Sequence, residues 1–288
     1  MIDILVLNYN DASTTKLFVE SVKNFSCARK ILVVDNHSTD NSFEKLLTLK
    51  DDRVNIVQTE KNGGYGAGNN FGIRYLHKYF DSEYILLCNP DVIVENEVCE
   101  KMEDFLRINQ DYALVAPFML NAKKEKQYNT AFRIPTKWEY ILSIDLFLSK
   151  FTGSFYYKGI KEESKKIKNV GSVTGSMFLM RTKDMLEYGM YDENIFLYCE
   201  ELILGIKMQK SCKKIALLTD CSFIHNHSVS ISKTYKSAVS KHRLFMSSKL
   251  YAIKHYYHAN IFEYSVAWSL SKISTIEIFF NRLLRGRK

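Results

Sequence analysis

The stretch "YILLCNPDVIV" (residues 84–94) decides the fold. Its first five residues read as a buried strand, and Asn89-Pro90-Asp91 then interrupts the apolar run before it resumes. Short apolar runs bounded by turn residues are the signature of strands covered on both faces. Comparable β-branched or apolar runs recur at 2–7, 30–35, 54–58 and 113–119, and segments with helical spacing lie between them at about 13–25, 40–49, 66–79 and 95–108. Alternation at this spacing predicts βαβ units: a mostly parallel, Rossmann-like α/β sheet sandwiched by helices. In such sheets ligands bind beyond the carboxyl ends of the strands. Those ends are polar here: Asn8-Tyr9-Asn10, Asp35-Asn36 and Asn89-Pro90-Asp91. Each by itself fits a turn or a helix cap as well as a ligand, but three on one edge point to a site.

Composition narrows the class. Of 288 residues 46% are hydrophobic, enough for a globular core. The six cysteines (27, 88, 99, 199, 212 and 221) never approach a C-x-x-C spacing, so buried free thiols are expected and structural zinc is not. "MIDILVLNYND" enters a strand without a secretory pattern, and no run of 18 apolar residues occurs, so a cytoplasmic protein without a spanning helix is expected. Residues 233–288 hold eleven Lys/Arg against Glu263 and Glu277, a balance of +9 within a total of +8, so residues 1–232 carry −1.

The loop "KNGGYGAGNNFGI" (61–73) has no G-x-G-x-x-G register and follows the third strand rather than the first, which disfavours a nicotinamide or flavin enzyme. Asn62, Gly63 and Gly64 there bring backbone N–H groups close to an anion or ring, or simply make tight turns. The charged stretches between about 120 and 170 read as solvated loops or an acceptor groove. "NVGSVTGSMFLMR" (169–181) reads as one further strand, and Glu200-Glu201 open a helical pattern. Acids in a first helical turn favour the helix dipole, so a purely local role for this pair is open too. His225 and His227, two apart on a strand, face one side.

Taken in order, "LVLNYN", "ILVVDNHSTDNS", "NGGYGAGNNFGI", "CNPDV", "VTGSMFLMR", "GMYDENIFLYCEE" and "IHNHSVSI" make the chain resemble glycosyltransferase family 2 proteins of the GT-A fold, in particular bacterial rhamnosyltransferase-like members that build surface polysaccharides. The resemblance spans residues 2–232 and implies a GT-A catalytic domain, with 233–288 as a basic, aromatic-rich helical extension. It implies that Asp35 accepts the imide N–H of a uracil or thymine ring, with Asn8 and Asn10 beside base and ribose. Asn89-Pro90-Asp91 is similar to the family's Asp-x-Asp element, so Asp91 is the expected ligand of Mn²⁺ or Mg²⁺, with His225, or less favoured His227, beside it. An imidazole suits Mn²⁺ better than Mg²⁺. Glu200-Glu201 match the family's acidic pair and put Glu201 in the position of the base that deprotonates an acceptor hydroxyl, with inversion as the outcome.

Two positions depart from the family pattern: the second acid is Glu201 where Asp is usual, and Ile203 stands where a further Asp is common. Lys207 also replaces a frequent Arg. A Glu carboxylate reaches about an ångström further, enough to matter for catalysis. The expected partners are a UDP- or dTDP-sugar and a saccharide or lipid-linked saccharide acceptor. The tail mixes aromatic and basic residues as a surface helix in an anionic leaflet does, at the inner face of the membrane; helices packed on the catalytic domain, or pairing a homodimer, are the competing reading. No nucleic-acid-binding fold accompanies the basic residues. A sugar nucleotidyltransferase is disfavoured because its Gly-rich loop follows the first strand, and a non-catalytic nucleotide-binding scaffold remains the other alternative.

Overall fold

The computed structural model describes residues 1–157, 166–226 and 238–285, the last with backbone alone at 238 and 280–285. Strands β1 (Ile2–Asn8), β2 (Ala28–Asp35), β3 (Val54–Gln58) and β4 (Tyr84–Cys88) alternate with helices α1 (Ala12–Val22), α2 (Ser42–Leu47) and α3 (Tyr65–Phe80). They continue through β5 (Val92–Ile93), α4 (Asn96–Ile108), β6 (Tyr112–Leu120), β7 (Ala131–Phe132) and α5 (Lys137–Leu142). After these come β8 (Ile167–Val170), β9 (Ser172–Val173), β10 (Met177–Arg181), the one-turn α6 (Thr182–Asp184), α7 (Glu200–Lys210), β11 (Lys214–His225), α8 (Ala238–His255) and α9 (Ile261–Arg285).

Among the described residues the main sheet has the order β3-β2-β1-β4-β10-β6-β11-β5, with β8 on β11. β1 to β4 are mutually parallel, β6 and β11 run with them, and β10 is antiparallel between β4 and β6. The chain moves outward from β1 to β3 and then crosses back to place β4 on the other side of β1. That reversal makes a switch point at the carboxyl ends of β1 and β4, where the crevice that takes ligands lies in such sheets.

Period-two alternation builds two cores. Ile4 and Val6 of β1 face a cluster containing Phe18 and Val22 of α1 and Met102 and Leu106 of α4, whereas Leu5 faces Ile73 and Leu76 of α3 and Leu204 of α7. A third cluster joins Tyr140 and Ile141 of α5 and Leu202, Ile203 and Ile206 of α7 to Met246, Ala252 and Ile253 of α8 and Ala267 of α9. The C-terminal helices are thus packed on the catalytic part. The boundary expected at 232/233 falls outside the described residues, as does His227.

Residues 169–181 do not form the single strand expected. They divide into the end of β8, then β9 and β10, which pair with β11, β7 and β4/β6 respectively. Glycines permit the breaks: a Cβ at Gly171 would lie 2.5 Å from Ile134 N, and one at Gly175 would lie 2.8 Å from a Glu201 carboxylate oxygen.

Candidate active site

Strand ends β1 and β2 meet through side chains. Asn8, fully buried, donates to Asp35 Oδ2 at 2.7 Å and accepts from Thr15 at 2.8 Å. Asp35 is also fully buried, and all four of its lone-pair directions are used. Oδ1 takes Ser38 N (2.9 Å) and Gln58 Nε2 (3.0 Å), and Oδ2 takes Asn8 and Ser38 Oγ (2.6 Å). A base N–H therefore reaches Asp35 only by displacing a donor, and Gln58, at the exposed end of β3, is the one nearest solvent. Asn10 is bound to the same loop, accepting from Thr39 N at 2.8 Å.

Asn36 carries the network onward, donating to Asn62 Oδ1 and Gly64 O, both at 3.0 Å. The Asn62 oxygen also takes the Gly64 N–H at 3.0 Å, so that amide is paired within the loop itself. Gly64 is required for a different reason: its φ is +91°, and a Cβ there would lie 2.1 Å from Phe196 O. Tyr65 N donates to the same carbonyl at 3.1 Å. The glycine-rich loop thereby seats the 191–199 segment that leads into α7.

That segment ends with Tyr198 and Cys199 at φ 73° and 70°, a left-handed conformation uncommon outside glycine. Contacts with α5 and α8 hold it. Ser248 Oγ donates to Leu197 O at 2.6 Å, Tyr256 OH to Asp192 Oδ2 at 2.8 Å, and Cys199 Sγ lies 3.1 Å from Tyr140 OH. The strained turn delivers Glu200 and Glu201 into the interior, so the helix dipole alone does not account for them. Gly175 N donates to Glu201 Oε1 at 3.0 Å, and Tyr65 OH donates to Gly175 O at 2.6 Å.

Burial pushes the Glu200 carboxyl up to about 8, with the Glu201 charge adding to the rise. Burial raises Glu201 as well, against opposing hydrogen bonds from its own and the Gly175 backbone N–H groups. Oε1 of Glu200 lacks a hydrogen-bond partner among the described residues. Because the folded Glu200 holds its proton to higher pH than the unfolded chain does, folding takes up a proton between about pH 4.5 and 8, and stability falls as pH rises through that window. Glu200→Gln should therefore raise Tm by roughly 5–10 °C near pH 9 and leave it within about 2 °C near pH 5, read by calorimetry.

Ile203 explains its own departure from the family pattern. It is 2% exposed and packed in the cluster shared with α8 and α9, where an acid would be buried among apolar side chains. Ile203→Asp should cost about 3–5 kcal/mol in denaturant unfolding rather than improve catalysis. Lys207 instead donates to Met190 O and lies over Tyr256 at 5.9 Å, bracing the same segment.

At the other side of the crevice the β4 end turns back, Val92 N donating to Asn89 O at 3.3 Å, and β5 pairs with the end of β11 so that His225 lies opposite Val92. His225 Nε2 comes within 3.2 Å of Asp91 Oδ1. Among the described residues no group of three or more His, Cys, Asp or Glu side chains is placed to hold a metal. The carboxylate and imidazole fit a divalent ion that takes its remaining oxygens from a diphosphate and solvent.

The two halves are joined by one turn. Gly175 holds Glu201, and its neighbour Ser176 accepts from Asn89 N at 2.8 Å, two residues before Asp91. Sequence reading quoted this Gly-Ser pair without assigning it a task. It also missed Ser38, Gln58 and Tyr65, whose partners lie from 20 to 110 positions away or in turns that no periodicity marks.

The profile of glycosyl transferase family 2 matches residues 3–189. The chain is 24% identical over 230 residues to the low-salt glycan biosynthesis hexosyltransferase Agl10 of Haloferax volcanii, covering 79% of this chain and 68% of that protein. It is 23% identical over 214 residues to the rhamnosyltransferase WbbL of Escherichia coli K12, covering 72% and 76%. Its fold is similar to that of GalNAc-T7 crystallised with UDP, GalNAc and Mn²⁺, with a TM-score of 0.62 and 12% identity. That match covers 94% of this chain but 55% of GalNAc-T7. Staphylococcus aureus TarS 1–349 gives a TM-score of 0.53 at 14% identity, over 88% of this chain and 66% of that one. The fold is that of the GT-A glycosyltransferases. The chain belongs to glycosyl transferase family 2.

Proposed function

We propose that this glycosyltransferase moves a hexosyl or rhamnosyl group, with inversion, from a UDP- or dTDP-sugar to a saccharide acceptor in glycan synthesis. The observation that carries the reading is the Gly175–Ser176 turn, which ties Glu201, the base in this reading, to the β4 end that leads to Asp91. Asn8, Asn10 and Asp35, with Asn62, Gly63, Gly64 and Asn89 around them, form the nucleotide side of the crevice. Asp91 and His225 would hold Mn²⁺ or Mg²⁺, which supplies Lewis-acid stabilisation of the departing diphosphate. The imidazole and the Mn²⁺ bound by the structurally similar GalNAc-T7 both favour Mn²⁺.

Glu201 supplies the base. Its carboxylate, raised by burial, is a stronger proton acceptor than an exposed Glu and takes the acceptor hydroxyl's proton as that oxygen attacks the anomeric carbon. One base opposite the leaving group gives inversion. The acceptor is read as lipid-linked and the enzyme as peripheral at the inner membrane face, supported by the +9 balance of residues 233–288. No helix among the described residues is long and apolar enough to cross a membrane.

Incubation with a panel of UDP- and dTDP-sugars and Mn²⁺ should release nucleoside diphosphate from one of them, and chelation should stop it. Release of pyrophosphate, or nucleotide binding without turnover of any donor in the presence of authentic acceptor, would replace this reading with nucleotidyl transfer or a scaffold respectively.

A further inference from the structure

The polarity of α9 is inverted relative to a helix that serves only to cover a core. Its buried positions include Glu263, Ala267, Ser271 and Ser274, small or polar residues facing the protein. Its outward side carries Ile261, Phe262, Trp268, Ile273, Ile276 and Phe279, with Ile261 89% and Ile276 55% exposed. Positions 261, 265, 268, 272, 276 and 279 recur at three- and four-residue intervals, so they form one continuous stripe along the helix. Ser265 and Lys272 stand within that stripe, Lys272 5.1 Å from the Trp268 ring centre, and the exposed Phe262 and Ile273 lie beside it, so the surface is largely apolar with a cation set into it.

We propose that this outward face of α9 is a docking surface for an anionic lipid bilayer, with the helix lying in the plane of the headgroups. The assignment rests on the membrane-facing part of the function proposed above and specifies the element that makes the contact. Three observations select lipid over other occupants. First, the helix is not apolar enough to span a bilayer, while large residues on one side are suited to the interface between headgroups and chains. Second, the charge is basic: Arg243 and Lys254 of α8 are exposed, Lys254 lying 6.0 Å from the ring centre of Tyr264 on α9, and residues 233–288 of the sequence carry a balance of +9. An anionic leaflet complements that charge, whereas a second copy of the same face would bring like charges together.

Third, the adjoining segment repeats the pattern. Phe147 and the 74%-exposed Phe151 stack edge to face at 5.5 Å, with Lys150 5.8 Å from the Phe147 ring centre. Helix α5, which precedes it in the chain, is tied to α9 through the Lys137–Glu263 ion pair at 2.7 Å. Because α8 and α9 share their inner face with the segment entering α7, lipid contact would hold the crevice at a set orientation to the bilayer surface.

The test uses the full chain with vesicles of phosphatidylcholine alone or mixed with phosphatidylglycerol. The protein should sediment with the mixed vesicles and not with phosphatidylcholine, and its tryptophan emission should shift to the blue. Ile273→Glu with Ile276→Glu, both at exposed positions, should reduce partitioning about tenfold or more while leaving the melting temperature unchanged. Lys272→Glu should weaken the preference for phosphatidylglycerol. Absence of binding to mixed vesicles, or equal binding by the double variant, overturns the assignment. So does light scattering that finds a dimer for the native chain and a monomer for the double variant, since the face is then occupied by a second copy. No sugar nucleotide is present in the vesicle assay, so failure of the transferase reading would show only in the donor panel and not here.

Discussion

Glu201→Gln should abolish sugar transfer while leaving nucleotide affinity intact. The amide keeps the shape of the side chain and still offers an oxygen to Gly175 N–H, the 3.0 Å contact that sets its position. It cannot accept a proton from an attacking hydroxyl. Loss of a positioned base costs about 10²–10⁴-fold in turnover. Asn8 and Asp35, on the proposed nucleotide side, are held by Thr15, Ser38 and Gln58, none of which depends on α7. The check is a kcat measured with saturating donor beside a calorimetric titration with nucleoside diphosphate. A variant within a few-fold of the native rate would remove Glu201 from the base role. In the native enzyme, turnover should rise with pH through an acid limb lying above the ordinary Glu range, because burial has raised the carboxyl and it acts only when ionised.

Gly64→Ala, a change of one methyl group some distance along the chain from the acidic pair, should be nearly as damaging. At φ +91° an L side chain is strained, and its Cβ would lie 2.1 Å from Phe196 O, far inside contact distance. A backbone carbonyl cannot rotate away as a side chain does, so the 191–199 segment must shift. Glu201 would move with it, and a displacement of about 1 Å at the reacting groups is worth on the order of 10²-fold in rate. The expected signature is a large fall in kcat accompanied by faster hydrogen exchange across 192–201, with exchange in β1 and β2 unchanged. Native-like kcat would mean that the close approach of Gly64 to Phe196 has no bearing on the base.

These two residues differ in how far sequence alone could take them. Glu201 was legible through its resemblance to a family acid, yet its surroundings were not: whether it lay on a solvated helix start or in a buried crevice depends on Gly175 and Tyr65, residues brought from other elements. Gly64 was legible only as a glycine in a loop, with anion approach and tight turning both open. The structure gives it a third task, close packing against a carbonyl over 130 positions away, and caps its amide with Asn62. Ile203 read as a defect in a catalytic pattern and proves to be a core residue of the cluster beneath the C-terminal helices.

The early strands and helices were readable because each is specified locally: β-branched runs of strand length, helical spacing between them, and polar residues where the parallel strands end. Expected and observed limits for β3 and β4 coincide, at Val54–Gln58 and Tyr84–Cys88. The stretch 169–181 misled because an apolar run states only that it is buried, whereas its division into three strands is set by which backbones come near Gly171 and Gly175. Local chemistry thus determined the α/β alternation and the polar edge. Tertiary structure alone decided that one turn links Glu201 to the Asp91 strand end and that the C-terminal helices brace the segment delivering Glu201. Contacts of that kind depend on distances between residues remote in the chain, and no window of sequence contains both partners.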